Sequence, residues 1–253
     1  MNYEESIWAE IYDSYNQGRH QSELEFYKNE CRKTKGKCLE IATGTGMILL
    51  PLLEERIDIT GFDISEQMLS ILKEKAKAKG IIDIDKTVSI QDMVSFEYDT
   101  HFDLIFIPAR SFLHLVRQED QIQTLRNIKN HLKKDGRLLL NFFSPNYSAI
   151  LRMTEPSEEW HHNGDYKKFS DGGLVRLFHR QQNDTISQIQ NIEWKFIDGE
   201  RETLSDMKVK WIFKEEFQLL LKTAGFSKWN LYGDFKKGPF TPNSSEMVWE
   251  AFV

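Results

Sequence analysis

Residues 38–46 read Cys-Leu-Glu-Ile-Ala-Thr-Gly-Thr-Gly, and residues 61–65 read Gly-Phe-Asp-Ile-Ser. The first stretch is a short apolar strand that runs into a glycine-bent turn. The second closes another apolar run with an acid, Asp63. A strand, a glycine turn opening a helix, and a second strand ending in an acid form a unit that holds an adenosine. The glycines let backbone approach the ligand, and the acid accepts hydrogen bonds from two ribose hydroxyls. Chain reversal alone would also use glycines here, but two motifs at the right separation favour a bound ligand.

The details separate one adenosine ligand from another. A dinucleotide fingerprint requires a third glycine for close helix packing. Counting on from Gly44 and Gly46, that position is Leu49. An additional acid, Glu40, stands in the first strand just before the turn, where it would repel a pyrophosphate and suit a cationic ligand. With Glu40-Ile41-Ala42-Thr43-Gly44-Thr45-Gly46 for the first motif, and Asp63 followed by Ser65 for the second, the sequence resembles the class I S-adenosylmethionine (SAM)-dependent methyltransferases. Ala42 stands where that family has its first glycine. The resemblance implies SAM as methyl donor, S-adenosylhomocysteine as product, and a Rossmann-like, doubly wound, mostly parallel sheet of seven strands.

Composition agrees with one large α/β chain. At 253 residues it could bury about three-quarters of its unfolded surface. The net charge of −6 does not suggest a broad nucleic-acid-binding face. The two cysteines, Cys31 and Cys38, lack metal-ligand spacing, and no metal site is expected. The acidic start, MNYEESIWAEIYD, does not read as a signal peptide. No stretch approaches the roughly 20 apolar residues of a membrane span. The expectation is a cytoplasmic protein with no membrane or nucleic-acid partner, as a monomer or a homodimer.

Periodicity divides a single domain into four parts. Residues 1–36 form an N-terminal helical cap, with Trp8, Ile11, Tyr12 and Tyr15 at helical spacing. Residues 37–145 form the SAM-binding core, with strands at Cys38–Ala42, Ile57–Phe62, Thr87–Ile90, Phe102–Ile107 and Leu138–Phe143. Helices begin near Gly46, run from Ser65 to Gly80, and span about Gln118–Leu132. Residues 146–213 are an inserted antiparallel β lid. It is irregular over 146–172 and then a three-stranded ribbon at Leu174–Arg180, Ile186–Phe196 and Met207–Phe213, with turns at Asn183-Asp184 and Asp198-Gly199. Residues 214–253 supply a helix at Lys214–Ala224 and two strands, Trp229–Tyr232 and Met247–Phe252, that complete the sheet.

In a doubly wound sheet, ligands bind outside the carboxyl ends of the strands. By the resemblance, the backbone of Ala42, Thr43, Gly44 and Gly46 lies against the amino-acid part of SAM, and Glu40 reaches its ammonium. Asp63 takes the ribose, with Ile64 and Met68 beside the adenine. Asp92 and Met93 match the positions that meet the adenine amino group and ring. Met68 reads equally well as helix core, and Asp92 as a turn residue. Pro108, Arg110, Ser111 and His114 follow the fourth strand, where the family lines the methyl-transfer site. No Asn-Pro-Pro-Tyr or Asp-Pro-Pro-Tyr motif for an exocyclic base amine occurs there. Arg110 can pair with an acceptor carboxylate or phosphate or lie at the surface. His114 can act as a general base or simply open the next helix. Tyr12 and Tyr15 are candidates for the N-terminal tyrosine that closes over SAM, Tyr15 also for a catalytic role.

Residues 141–145 close one side of the cleft. Trp160 and Trp211 are candidates to wall an acceptor pocket, as are Phe178, Trp194 and Phe196, and His161 or His162 can supply a base from the lid. The layout is similar to aminosugar N,N-dimethyltransferases and relatives of glycine and sarcosine methyltransferases. This implies transfer of a methyl group to nitrogen or oxygen of a small polar metabolite. The rival readings are an RNA or protein methyltransferase and a SAM- or nucleotide-binding module without catalysis. A nicotinamide-dependent oxidoreductase is disfavoured by Leu49 and Glu40.

Overall fold

The computed structural model describes residues 3–155 and 157–253. The chain sorts into two compact units, Met1–Arg19 with Pro145–Trp211, and His20–Ser144 with Ile212–Val253. Helix α1 (Tyr3–Asn16) belongs to the first unit and α2 (Gln21–Lys33) to the second. Residues 1–36, expected as one N-terminal helical cap, hold two helices that belong to different units.

The larger unit is built on a seven-stranded sheet. In chain order its strands are β1 (Cys38–Ile41), β2 (Ile59–Asp63), β3 (Val88–Ile90), β4 (Phe102–Ile107) and β5 (Leu132–Phe143), then β10 (Lys228–Tyr232) and β11 (Glu246–Phe252). Their spatial order is β10-β11-β5-β4-β1-β2-β3. Strands β1 to β5 pair in parallel, while β11 runs antiparallel to both β5 and β10. The order reverses between β1 and β4, which opens a crevice at their carboxyl ends. The central strands are apolar on both faces because helices cover both sides of a parallel sheet. All of β1 and residues 104–107 of β4 are buried.

Helices fix the strand ends. Helix α3 (Leu49–Glu54) follows the glycine turn. Helix α4 (Glu66–Ala78) is capped by Ser65, whose Oγ accepts from the Met68 N–H at 3.2 Å, and Gly80 in the left-handed region (φ 71°) ends it. Helix α5 (Ile84–Thr87) is a single turn, and α6 (Gln118–His131) packs against α8 (Lys214–Ala224), which Gly225 ends at φ 92°.

The smaller unit is a four-stranded antiparallel sheet with α7 (Tyr147–Arg152) ahead of it. Its strands are β6 (His161–Lys167), β7 (Leu174–Asp184), β8 (Ile189–Asp198) and β9 (Arg201–Lys210), in that spatial order. Ile7 and Ile11 of α1 pack with Tyr166, Val175, Leu177, Trp194 and Phe196 on one face. Backbone N–H groups of Lys167 and Phe169 bond to Ser14 Oγ and the Glu10 carbonyl at 2.9 and 2.8 Å.

Several elements differ from expectation. The expected three-stranded ribbon has a fourth strand, β6, because His161–Lys167 has only Tyr166 buried and so lacks apolar alternation. Asn183 and Asp184 end β7, and the turn comes after them, at residues 185–188. Strand β9 starts at Arg201, six residues before the expected Met207, where the sequence is polar and charged. Strand β5 begins at Leu132, through a polar stretch where its register against β4 shifts. Helix α3 starts at Leu49, since residues 44–48 complete the turn first. Among the described residues no helix is long and apolar enough to cross a membrane.

Candidate active site

The glycine turn links the carboxyl ends of β1 and β2. The Thr43 N–H bonds to the Phe62 carbonyl at 3.0 Å, and the Gly44 N–H donates to Asp63 Oδ2 at 2.8 Å. Ala42 adopts φ 59°, the left-handed conformation that the missing glycine would have adopted freely. Alanine there costs about 1–2 kcal/mol, tolerated because the side chain is one methyl group. Gly46 is more constrained. Its φ is 81°, and an added Cβ would lie 2.9 Å from both Leu50 Cγ and Leu72 Cγ.

Asp63 is 8 % exposed and accepts from the Gly44 and Ser65 N–H groups, one on each oxygen. Each carboxylate oxygen has two acceptor sites, so one remains on each for a vicinal diol. Burial raises its pKa, opposed by the Ser65, Gly44 and Ile64 backbone N–H groups. Glu40 is buried beside it, and its Oε2 has no hydrogen-bond partner. Burial pushes this carboxyl well above the ordinary range. Asp63 adds to the rise, while the Thr43 hydroxyl and the Leu49 N–H oppose it. Thr43 Oγ1 is itself buried without meeting hydrogen-bond geometry. A buried carboxylate oxygen without a donor is costly unless a ligand supplies one, and the ammonium of SAM is such a donor. The residues present therefore fit SAM.

Other predicted contacts surround this pair. Ile64 is 69 % exposed, an apolar side chain left open beside Asp63, and Met68 is half-buried. Asp92 is exposed, and its Oδ1 accepts from the Val94 N–H at 2.8 Å. It therefore plays the turn role while Oδ2 stays available, and Met93 next to it is half-buried.

Across the switch point, β4 ends at Ile107 and is followed by buried Pro108. Ala109 and Arg110 follow in two successive left-handed conformations, φ 56° and 61°. Two such non-glycine residues in a row persist only where the surroundings hold them. Here Glu23 Oε1 accepts from the Ala109 N–H at 2.6 Å, and Arg110 is ion-paired with Glu246. Glu246 Oε2 also accepts from Asn141 Nδ2 at 3.3 Å, and the Tyr27 hydroxyl donates to Asn141 Oδ1 at 2.7 Å. Arg110, read as a surface residue or an acceptor anchor, is thus already paired. Ser111 Oγ bonds to the Pro108 carbonyl at 2.8 Å, and His114 is exposed at the end of a single 3-10 turn, Ser111–His114.

The remaining candidates lie in the smaller unit. Tyr12 and Tyr15 are half-buried on α1. The Tyr15 ring packs edge-on against Trp8 and Tyr166 and carries the Arg19 guanidinium 4.5 Å above it. The Trp160 ring has Arg180 and Lys195 over it at 4.8 and 4.4 Å. Trp211 is 2 % exposed. Trp194 and Phe196 are buried in the packing against α1. His162 pairs with Asp165 at 2.8 Å, and His161 lies beside His179 at 5.8 Å between ring centres.

Sequence reasoning missed Glu23, Tyr27 and Glu246. Glu23 and Tyr27 lie on the buried face of α2, four residues apart, with Phe26, Glu30 and Cys31. Acids at helical spacing with aromatics were a usable signal. Glu246 opens a strand that reads as an edge but is covered on both sides by β5 and β10.

Comparison with known proteins agrees with this geometry. Residues 38–136 match the family model described as a methyltransferase domain. A glycine/sarcosine N-methyltransferase from Halorhodospira halochloris is 29 % identical, covering 90 % of this chain and 79 % of its own. A SAM-dependent methyltransferase structure from Clostridium acetobutylicum superposes with a TM-score of 0.75 at 16 % identity, covering 96 % of each chain. The sugar N-methyltransferase KedS8 from Streptoalloteichus superposes at 0.69 and 19 % identity, over 96 % of this chain and 94 % of its own. Residues 38–136 thus carry a methyltransferase domain, and the chain as a whole is similar to SAM-dependent methyltransferases over most of its length.

Proposed function

We propose that this enzyme transfers the methyl group of SAM to the nitrogen of a small polar metabolite. The observation that carries the reading is Glu40. Its buried, unpartnered Oε2 stands next to Asp63 at the mouth of the glycine turn, a pair suited to a ligand with an ammonium and a ribose. Nitrogen is favoured over oxygen by the carboxylates Glu23 and Glu246 at the exit of β4 and by the amine acceptors in the names of the relatives.

Bound SAM supplies a methyl carbon already activated by a sulfonium leaving group. Transfer would form an N–C bond on the acceptor amine and leave the electron pair of the S–C bond on sulfur. The chain's own task is to position and desolvate. In this reading Glu40, Ala42, Thr43, Gly44 and Gly46 hold the amino-acid part, Asp63 the ribose, and Ile64, Met68, Asp92 and Met93 the adenine side, while Pro108 borders the cofactor at the methyl-transfer end. Tyr12 and Tyr15 belong to cofactor closure, and Ser111, Trp160 and Trp211 to the acceptor. The amine must lose one proton, and His114 is the group assigned to take it. The insertion at 146–213 acts as a lid in the same proposal. A cytoplasmic location and a homodimer belong to the same proposal.

The test is a panel of small amines and matched alcohols incubated with SAM and followed by mass spectrometry. The reading expects a one-methyl mass gain on amines. A His114→Gln variant should bind S-adenosylhomocysteine normally and lower kcat. Methyl gain on alcohols alone would replace nitrogen by oxygen as acceptor.

A further inference from the structure

At the exit of β4, the Arg110 guanidinium is held on one side by Glu246 and lies over the Phe143 ring at 5.7 Å, and its side chain is 39 % exposed. Its Nε is buried without a partner, so the guanidinium is fixed in place by the ion pair and the turn. Glu246 is itself fixed. Asn141 bonds to its second oxygen, and Tyr27 orients Asn141. Glu246 opposes Phe143 in the β11–β5 pairing, and Asn141 opposes Val248, so both stand at the carboxyl edge of the sheet.

Glu23 contributes a second carboxylate from α2. Its side chain is 3 % exposed and is committed to the Ala109 N–H and to His20 Nδ1 at 3.1 Å. Burial pushes the Tyr27 hydroxyl well above its ordinary pKa, and the charges of Glu23, Glu246 and Glu40 add to the rise. One of them, Glu40, is buried with an oxygen that lacks any donor. A site that admitted anionic acceptors through Arg110 would leave that guanidinium open. Here its charge is cancelled by Glu246, and the backbone of the preceding residue, Ala109, is held by a further carboxylate, Glu23. Repulsion of the wrong partner is a recognised route to specificity.

We propose that Glu246, by masking Arg110, makes this end of the sheet cation-selective, so that the methyl acceptor is an amine bearing no carboxylate or phosphate group. The proposal rests on the N-methyltransferase reading and narrows its substrate class. Glycine-like amino acids are then poor acceptors, and amines carried on neutral polyhydroxyl or amide frameworks are good ones. Glu246 and Arg110 become the specificity pair, with Asn141 and Tyr27 as positioning residues.

Minimal probes test this without knowledge of the acceptor. Methylammonium and acetate are titrated by NMR into the whole chain, with and without saturating S-adenosylhomocysteine. The expected result is methylammonium binding at least tenfold tighter than acetate. In Glu246→Gln, acetate should gain at least tenfold and methylammonium should weaken. In Arg110→Gln, which leaves Glu246 unmasked, methylammonium should tighten. Equal binding of the two ions by the unsubstituted chain, no binding of either, or unchanged selectivity in both variants would overturn the proposal. Failure of S-adenosylhomocysteine to bind in the same samples would instead strike the methyltransferase reading, and the ion titrations would still be readable.

Discussion

Glu40 is a buried carboxyl with one oxygen left without a donor. Burial favours its protonated form in the free protein, and a neighbouring cation favours the ionised form. Binding of SAM through its ammonium must therefore release a proton from Glu40 below the raised pKa. Affinity then rises with pH up to that value and levels off above it. The sign for stability is opposite. A carboxyl with a raised folded pKa binds more protons folded than unfolded, so its contribution is lost as pH rises from the unfolded value of about 4.3 through the folded one. Calorimetric titrations in buffers of different ionisation enthalpy should show proton release on binding, absent in Glu40→Gln. Identical proton counts in the two proteins would remove Glu40 from the ammonium site. Glu40 and Asp63 were legible in the sequence because spacing from glycines marks them. Glu23, Tyr27 and Glu246 were not, because their meeting depends on strand order across the switch point.

At the scale of elements, α2 is tied to the sheet by a buried ionic cluster. Arg137 Nη1 donates to Glu30 Oε2 at 2.7 Å and to Glu250 Oε1 at 2.6 Å, and Lys33 and Lys237 reach Glu30 at 3.1 Å. Against the upward push of burial, these cations pull the Glu30 pKa down to about 2. Glu30 stabilises the fold above its unfolded pKa, and that stability is lost as pH falls toward about 2. Arg137→Ala leaves two buried carboxylates short of a cation and should cost about 3–5 kcal/mol. Urea unfolding near neutral pH checks this, and a change below about 1 kcal/mol would show that the cluster is solvated. Element boundaries were readable wherever apolar period or a cap decided them, as in β4 and α8. Strand β6 was not, since a polar edge strand exists only through its pairing with β7, from His161↔His179 to Lys167↔Leu174.

For the whole molecule, the sheet order and the two motifs point to SAM, while the proposed acceptor end draws on side chains that come from distant parts of the chain. Glu23, Arg110, Asn141 and Glu246 are separated by as many as 223 positions, the difference between 246 and 23. Such a constellation has no spacing to recognise, which is why Glu40 and Asp63 could be named from the sequence and the meeting of Glu23, Arg110, Asn141 and Glu246 could not. The fold likewise hides its division, because residues 1–19 return to join residues 145–211.

The central claim is that Asp63 and the glycine turn bind SAM. Calorimetric titration of S-adenosylhomocysteine into the unsubstituted chain and into Asp63→Ala, with NAD in parallel, tests it directly. The account predicts micromolar binding of S-adenosylhomocysteine and none of NAD. It also predicts a loss of about 1.5–3 kcal/mol, roughly 10- to 150-fold, in a variant whose circular dichroism is unchanged. Binding of NAD alone, or equal S-adenosylhomocysteine affinity in the folded variant, would contradict it.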